Sequence, residues 1–295
     1  MVTQVAAVEI REVGPRDGLQ GEAPVPAPRR AELAMALAAA GLRQIEAVAF
    51  VSPRAVPSMA DAAAVLDGLD RNAAQWWALV PNVRGAEMAI DAGVRHLTVT
   101  VSASPVYSAK NVGMTVAESV AQVARIRRLD GGLVIDTVVS CAFGSSFGDA
   151  VTRQDVGAVC AELRSIGVER LTLADTTGTA TPRRIGAVLE HTGVDVGLHL
   201  HDTRGTALTN AYAALQWGVM RFDTALGGLG GSPFAPGAGG NLATEDLVLL
   251  LEDLGVSTGV DLAALLEAGH LLAELVGHAL PGRVASAGGL PEFER

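Results

Sequence analysis

The run Gly197-Leu198-His199-Leu200-His201-Asp202 sets two imidazoles two residues apart in apolar company. If the run is a strand, alternation sends His199 and His201 to one face and Leu198 and Leu200 to the other, which makes a natural bidentate metal pair. A pair of core histidines bonded to polar neighbours is the competing reading, and Asp202 either supports the pair or begins the next loop. Near the N-terminus, Gly14-Pro15-Arg16-Asp17-Gly18-Leu19-Gln20 delivers an Arg and an Asp together at a tight turn, with Gly18 expected to supply an unusual backbone angle. A surface Arg–Asp pair is the plainer alternative there. Glu46 stands alone in Ile45-Glu46-Ala47-Val48, and a carboxylate buried in such a run needs a cation or a metal beside it. Asp175, in Leu173-Ala174-Asp175-Thr176-Thr177-Gly178, is either a further acid at a strand end or the cap of an Asx turn. Residues 227–241 read GGLGGSPFAPGAGGN and end in Asn241 just before a helical pattern; so many glycines suit a lid or a phosphate cradle. The spacing matches neither a Walker A loop nor a dinucleotide fingerprint. An Asp, two His and an Asn with water form an oxygen–nitrogen set suited to Mg2+ or Mn2+, with zinc less favoured for want of a nearby thiolate.

These residues act together only if the fold gathers them. Short β-rich runs at 8–13, 44–50, 76–80, 97–101, 134–140, 171–174, 196–201 and 221–225 alternate with helical patterns at 27–40, 59–69, 83–92, 116–129, 153–165, 182–190 and 206–217. Such alternation means parallel strands joined by crossover helices. Eight units predict an α/β fold of the (β/α)8 TIM-barrel type, with extra C-terminal helices at 244–254 and 261–276; an open doubly wound sheet is the alternative. Segments 51–57, 102–113 and 227–240 are expected as loops. No composition shift or long polar linker divides the chain, so 1–295 is expected to be one catalytic domain. Barrels of this kind place chemistry at the C-terminal ends of their strands, where most of the residues above fall.

Composition narrows the partners. The chain has 295 residues, 49% of them hydrophobic, which excludes a disordered polymer unable to build a core. A formal charge of −10, from 32 acidic and 22 basic residues, repels nucleic acid and anionic membrane surfaces, so neither is an expected partner. A small anionic substrate remains compatible, because local Arg or metal charge overrides the global sign. Two cysteines, Cys141 and Cys160, cannot make a disulfide framework. The first residues lack the basic and apolar regions of a signal peptide, and the apolar stretch 31–42 is too short to span a bilayer. A cytoplasmic, soluble protein is expected.

With the residues laid out, Val13-Gly14-Pro15-Arg16-Asp17-Gly18-Leu19-Gln20 resembles the opening signature of the 3-hydroxy-3-methylglutaryl-CoA lyase family, in a superfamily of metal-dependent lyases and synthases on TIM barrels. The likeness continues, in family order, through Phe50-Val51-Ser52-Pro53, Pro81-Asn82, Lys110-Asn111, Val139-Ser140-Cys141-Ala142, Asp175-Thr176, His199-Leu200-His201-Asp202-Thr203 and Gly239-Gly240-Asn241-Leu242-Ala243-Thr244-Glu245-Asp246-Leu247. The resemblance implies that Asp17, His199, His201 and Asn241 hold a divalent cation, Mg2+ or Mn2+. It also implies that Arg16 neutralises a developing enolate oxygen, and that Glu46 and Asp175 belong to the acid–base and polar network. Lys110 and Asn111 would touch an acyl-CoA substrate. The implied reaction is retro-Claisen cleavage of a 3-hydroxy-3-methylglutaryl-CoA-like thioester to acetyl-CoA and acetoacetate, in a homodimer.

One position departs from the family pattern. Where the lyases carry a catalytic cysteine before the proline of the glycine loop, this chain has Ser232 in Gly230-Gly231-Ser232-Pro233. A thiol titrates near about 8.5 and an alkyl hydroxyl far outside the ordinary range, so Ser232 is expected to be a poorer acid–base group. Cys141 resembles a separate family cysteine and is no evident substitute. The departure leaves three readings: a lyase that protonates through water or another group, a lyase for a different 3-hydroxy acid or thioester, or an aldolase or Claisen-type synthase. A pure binding protein on the same barrel has no evident need for Arg16, Glu46 and Asp175 together.

Overall fold

The computed structural model describes residues 7–231 and 239–291. Strands β1 (Glu9–Glu12), β2 (Gln44–Ala49), β3 (Gln75–Leu79), β4 (His96–Ser102), β5 (Val134–Ser140), β6 (Arg170–Ala174), β7 (Gly197–His199) and β8 (Arg221–Thr224) pair in sequence order, all parallel, and β8 pairs back to β1. The sheet is therefore a closed barrel, and the open-sheet alternative falls away. Helices α1 (Ala27–Ala39), α2 (Ala62–Asp67), α3 (Val83–Asp91), α4 (Pro105–Val112), α5 (Val116–Ile126), α6 (Arg153–Ser165), α7 (Pro182–Thr192) and α8 (Ala207–Trp217) lie in the crossovers. After the barrel come α9 (Thr244–Asp253), α10 (Leu262–Val276) and α11 (Arg283–Ala287), the last of which the sequence pattern did not predict. Among the described residues, no helix is long and apolar enough to cross a membrane.

Strand alternation builds two different interiors. Along β4, Leu97, Val99 and Val101 join the hydrophobic core, while Thr98 faces the barrel axis and accepts a hydrogen bond from Arg11 Nη1 at 3.4 Å. Branched apolar residues commonly fill a barrel of this kind. Here the axis carries Arg11, Asp136 and Asp223, all buried, and the ring of buried Trp77 lies 4.9 Å from Arg11 and 5.4 Å from Arg170. Local chemistry fixes two helix starts closely: Thr115 with Glu118 and Thr152 with Asp155 form reciprocal capping boxes for α5 and α6.

Four expectations are corrected. Segment 102–113 is not a loop, because Ser104 accepts from Tyr107 N at 2.9 Å and Pro105 opens α4 at its first turn, where its missing N–H leaves nothing unpaired. The helix expected at 59–69 begins only at Ala62, after a 3-10 turn at Pro57–Met59 and a left-handed Asp61. Gly18 has ordinary helical angles (φ −59°, ψ −50°). The glycine that matters is Gly14, where a Cβ would lie 2.5 Å from Glu12 Oε1 and 3.3 Å from Leu226 N. Finally, the strand expected to reach residue 201 leaves its ladder at His199. His201 instead forms an antiparallel bridge with Asn241, and Asp202 N donates to Gly240 O at 2.8 Å.

Glu12 fastens the shoulders of this end of the barrel. Its Oε1 accepts from Gly14 N (2.7 Å) and Leu226 N (2.9 Å), and its Oε2 from Thr244 Oγ1 (2.5 Å). Full burial pushes its carboxyl up to about 7, against hydrogen bonds that pull it down. A folded-state value raised above the ordinary 4.5 means the folded protein keeps a proton that the unfolded chain releases, so stability falls as pH rises from about 4.5 to about 7. Glu12→Gln keeps the two acceptor contacts on one oxygen and offers an amide to the Thr244 hydroxyl. The variant is expected to flatten the pH dependence of urea unfolding over that window and to gain on the order of 2 kcal/mol relative to the native chain near pH 8.

Candidate active site

The bridge between His201 and Asn241 and the turn after β1 converge on one point. Gly14–Gly18 forms a single π-helical turn, with Gly18 N donating to Val13 O at 3.4 Å and Asp17 N to the same oxygen at 2.6 Å, and this turn holds Arg16 and Asp17 buried over the strand ends. Opposite them, Nε2 of His199 and Nε2 of His201 stand 3.2 Å apart, and Asp17 Oδ2 lies 3.9 Å from His199 Nε2. Asp17, His199 and His201 each offer one ligand atom, and the three atoms lie within 4.8 Å of one another. Asn241 donates Nδ2 to Asp17 Oδ2 (2.7 Å) and to Leu229 O (2.8 Å), while its buried Oδ1 has no hydrogen-bond partner among the described residues.

Two observations favour a dication at this point. The orphaned Asn241 Oδ1 is an oxygen donor already stripped of water, which is costly unless something binds it. The second is charge. Around the axis, guanidiniums Arg11 and Arg16 face four buried carboxylates, Asp17, Glu46, Asp136 and Asp223, so two negative charges are left over. A divalent ion cancels that excess. The protons reflect the same field. Burial pulls His199 down, but its bond to Asp223 and the charge of Asp17 outweigh this and leave it raised; burial and the neighbouring His199 hold His201 down to about 4. Burial also opposes Asp17, yet Arg16 and the imidazoles keep it at about 2.

Glu46 has the cationic partner its isolation demanded. Arg16 Nε donates to Glu46 Oε1 at 2.5 Å and Arg16 Nη1 to Asp17 Oδ1 at 2.5 Å. Gln20, to which no role was given from sequence, adds Nε2 to the same Asp17 oxygen at 2.8 Å. Arg16 Nη2 and the buried Glu46 Oε2 have no hydrogen-bond partner among the described residues. Asp175 satisfies both of its readings at once. Its Oδ1 caps the following turn by accepting from Thr179 N (2.7 Å) and Ala180 N (2.9 Å), while Oδ2 is buried and unpartnered among the described residues. Burial pushes this carboxyl up to about 7. Asp202 is a helix-side group, its Oδ1 accepting from Ala207 N at 3.0 Å.

The glycine stretch meets the site at both of its described shoulders. A Cβ at Gly230 would lie 2.5 Å from Asn241 Nδ2 and 3.0 Å from Asp17 O, and one at Gly240 would lie 1.7 Å from Gly228 O. Ser232 itself lies outside the described residues. Cys141 is buried with its thiol pushed up to about 12 by burial, unsuited to shuttling protons near neutrality.

Lys110 and Asn111 stand on α4, and no hydrogen bond or ion pair joins either to Asp17, Arg16, Glu46 or the His pair among the described residues. Lys110 Nζ lies 5.2 Å from the Phe147 ring centroid, and Asn111 lines a small cavity with Ser102, Ser108 and Ser140 at the C-terminal ends of β4 and β5. A larger cleft of about 370 Å3 opens between the segment after β5 and α7, lined by Phe143, Ser145, Arg153 and Arg184 among others. Sequence reasoning missed Arg11, Asp136 and Asp223 altogether.

Comparison with known proteins fits this geometry. The family model described as HMGL-like matches residues 7–272. The chain is similar to the (R)-citramalyl-CoA lyase of Chloroflexus aurantiacus, at 44% identity over 96% of this chain and 95% of that protein. It is also similar to the hydroxymethylglutaryl-CoA lyase of Pseudomonas mevalonii, at 41% identity over 95% of this chain and 96% of that protein. Among solved structures, an HMG-CoA lyase from Acinetobacter baumannii, in complex with coenzyme A and 3-methylmalate, superposes with a TM-score of 0.93 at 38% identity, covering 100% of this chain and 99% of that one.

Proposed function

The chain belongs to the HMGL-like family, and on that premise we propose that it is a metal-dependent acyl-CoA lyase that breaks a carbon–carbon bond beside a tertiary alcohol. The observation that carries this reading is the meeting of the Asp17–His199–His201 cluster with the Arg16–Glu46 pair at one end of the barrel. Asp17, His199, His201 and Asn241 would hold the ion, Mg2+ or Mn2+. When bound, a divalent cation there supplies Lewis acidity that makes the substrate hydroxyl a better proton donor.

In the cleavage, the hydroxyl proton leaves, its oxygen becomes a ketone, and the electrons of the breaking bond pass to the thioester carbonyl as an enolate. The enolate carbon then takes a proton to give acetyl-CoA. Arg16 keeps Nη2 for the enolate oxygen while Nε and Nη1 fix its plane against Glu46 and Asp17, a donor already oriented before charge develops. Asp175 suits the handling of a proton: one oxygen is locked by the turn, and the other is unpartnered in a carboxyl that titrates at about 7. Ser232 would be a poor proton carrier, which puts more of that work on Asp175 or on water. Lys110 and Asn111, off the metal cluster, suit contacts with the CoA moiety.

Two substrates stand out by chemistry. 3-Hydroxy-3-methylglutaryl-CoA and citramalyl-CoA both place a tertiary hydroxyl β to the thioester. They differ by one methylene between the carbinol carbon and the free carboxylate, a difference worth about 1–3 kcal/mol in a fitted pocket. The identity to the citramalyl-CoA lyase makes the shorter substrate the second reading. Acetyl-CoA release from each substrate, with Mg2+ or Mn2+ and then with chelator, is the test. Turnover on at least one, abolished by chelator and restored by metal, is expected. No turnover on either while Mn2+ still binds would sink the lyase reading and favour a synthase. Buried, free Cys141 and Cys160 suit the cytoplasm, and a homodimer is proposed from the family resemblance.

A further inference from the structure

Beneath the His pair, the barrel axis holds a charged device that the reaction chemistry above does not use. Asp223, on β8, brings Oδ2 to 3.3 Å from His199 Nδ1. The same carboxylate is gripped by a two-pronged fork, Arg11 Nε to Oδ1 at 2.9 Å and Arg11 Nη2 to Oδ2 at 2.8 Å. Arg11 is itself braced from the far side of the barrel by Asp136 Oδ2 at 3.0 Å, which also accepts from Thr172 Oγ1 at 2.8 Å. Every member is buried.

We infer that Asp223, clamped by Arg11, is the positioning residue of the cation site: it takes the proton of His199 Nδ1 as a hydrogen bond and so turns the Nε2 lone pair toward Asp17 and His201. The inference rests on the metal-holding role proposed above. A ring nitrogen presents a lone pair to a cation only when the proton sits on the other nitrogen, and a partner on that nitrogen fixes both tautomer and ring angle. The geometry is asymmetric. His199 has a carboxylate on Nδ1, whereas His201 has none among the described residues. Asp223 cannot trade an oxygen for an amide without loss, because three donors, two from Arg11 and one from His199, converge on its two oxygens. Strands β1, β5 and β8 are thereby tied into the aim of one metal ligand on β7.

The test is Mn2+ binding to the full chain, followed by electron paramagnetic resonance, in the native protein, D223N and D136N. Both substitutions remove one negative charge from the Arg11 clamp, but only Asp223 touches His199. D223N is expected to weaken Mn2+ binding about 10–100-fold, with a much smaller loss in D136N, which removes the same charge without touching His199. Equal losses in the two variants, or unchanged affinity in D223N, would overturn the inference. Failure of the native chain to bind Mn2+ would overturn the metal reading instead. Should D223N not fold, the native protein answers alone: 15N spectra of histidine-labelled protein in chelator, with His199 assigned by His199→Gln, are expected to find the proton on Nδ1. A bare Nδ1 with the proton on Nε2 would refute the positioning role.

Discussion

Arg16→Gln is expected to lower kcat by about 10²–10³-fold, the usual loss when an oriented donor to a developing oxyanion is removed, while leaving Mn2+ affinity intact or slightly improved. The two halves of this expectation come from different atoms of one side chain. Arg16 Nη2 is the arm without a protein partner among the described residues, and Nε and Nη1 are committed to Glu46 and Asp17. A glutamine can still reach one of those acceptors, but it carries no charge to meet an enolate. Asp17, relieved of the guanidinium on Oδ1, becomes a stronger ligand through Oδ2, the oxygen 3.9 Å from His199 Nε2. Arg16→Lys sorts charge from geometry: it keeps the cation and loses the planar fork, and should fall between the native enzyme and the glutamine variant. Steady-state kinetics together with Mn2+ titration decide the matter. If kcat and metal affinity fell in parallel, Arg16 would be a scaffold for the cation and not the group that meets the enolate.

What could be read from the sequence divides along a physical line. The eight strands and their order followed from alternation and spacing, because a parallel barrel repeats one local pattern and closure adds no new local signal. His199 and His201 were legible because both chemistry and facing lie within three consecutive residues. Glu46 announced that it needed a cation, and Arg16 was already conspicuous beside Asp17. Arg11, Asp136 and Asp223 were not legible. In EIRE, VIDTVVS and RFDT each is a single polar residue in an ordinary strand, and alternation places it inward without naming what it meets. Arg11 and Asp223 are 212 residues apart, and only barrel closure between β1 and β8 makes them neighbours. The errors were local in a different way. Segment 102–113 reads as a loop, yet Ser104 caps a helix there and Pro105 is its first residue. Gly18 was credited with freedom of φ, while the indispensable glycine, Gly14, is required by closeness to Glu12.

Arg11→Met is expected to be the most destabilising of the changes considered, by about 3–5 kcal/mol, because it strips the cation from buried aspartates and leaves them uncompensated. The pH dependence distinguishes this cause from lost packing. Burial by itself would raise Asp223, but in the native protein the charge of Arg11 and the bonds from His199 and Arg11 overcome it and hold Asp223 well below the ordinary carboxylate range. A depressed folded value means the stabilisation is fully present above about pH 3.8 and is lost only as pH falls through that lower value, so between pH 5 and 8 this group leaves the native curve flat. In the methionine variant burial dominates at Asp223, which then holds a proton that the unfolded chain releases, and the variant gains stability as pH falls. The gap between native and variant should therefore be widest near pH 8 and close toward pH 5. Urea unfolding in chelator at both ends of that range measures it without interference from metal. A gap of constant size would mean that Arg11 matters for the volume it fills beside Trp77. A closing gap would mean that its charge is what lets an acidic axis, with two negative charges left for a cation, fold before the cation arrives.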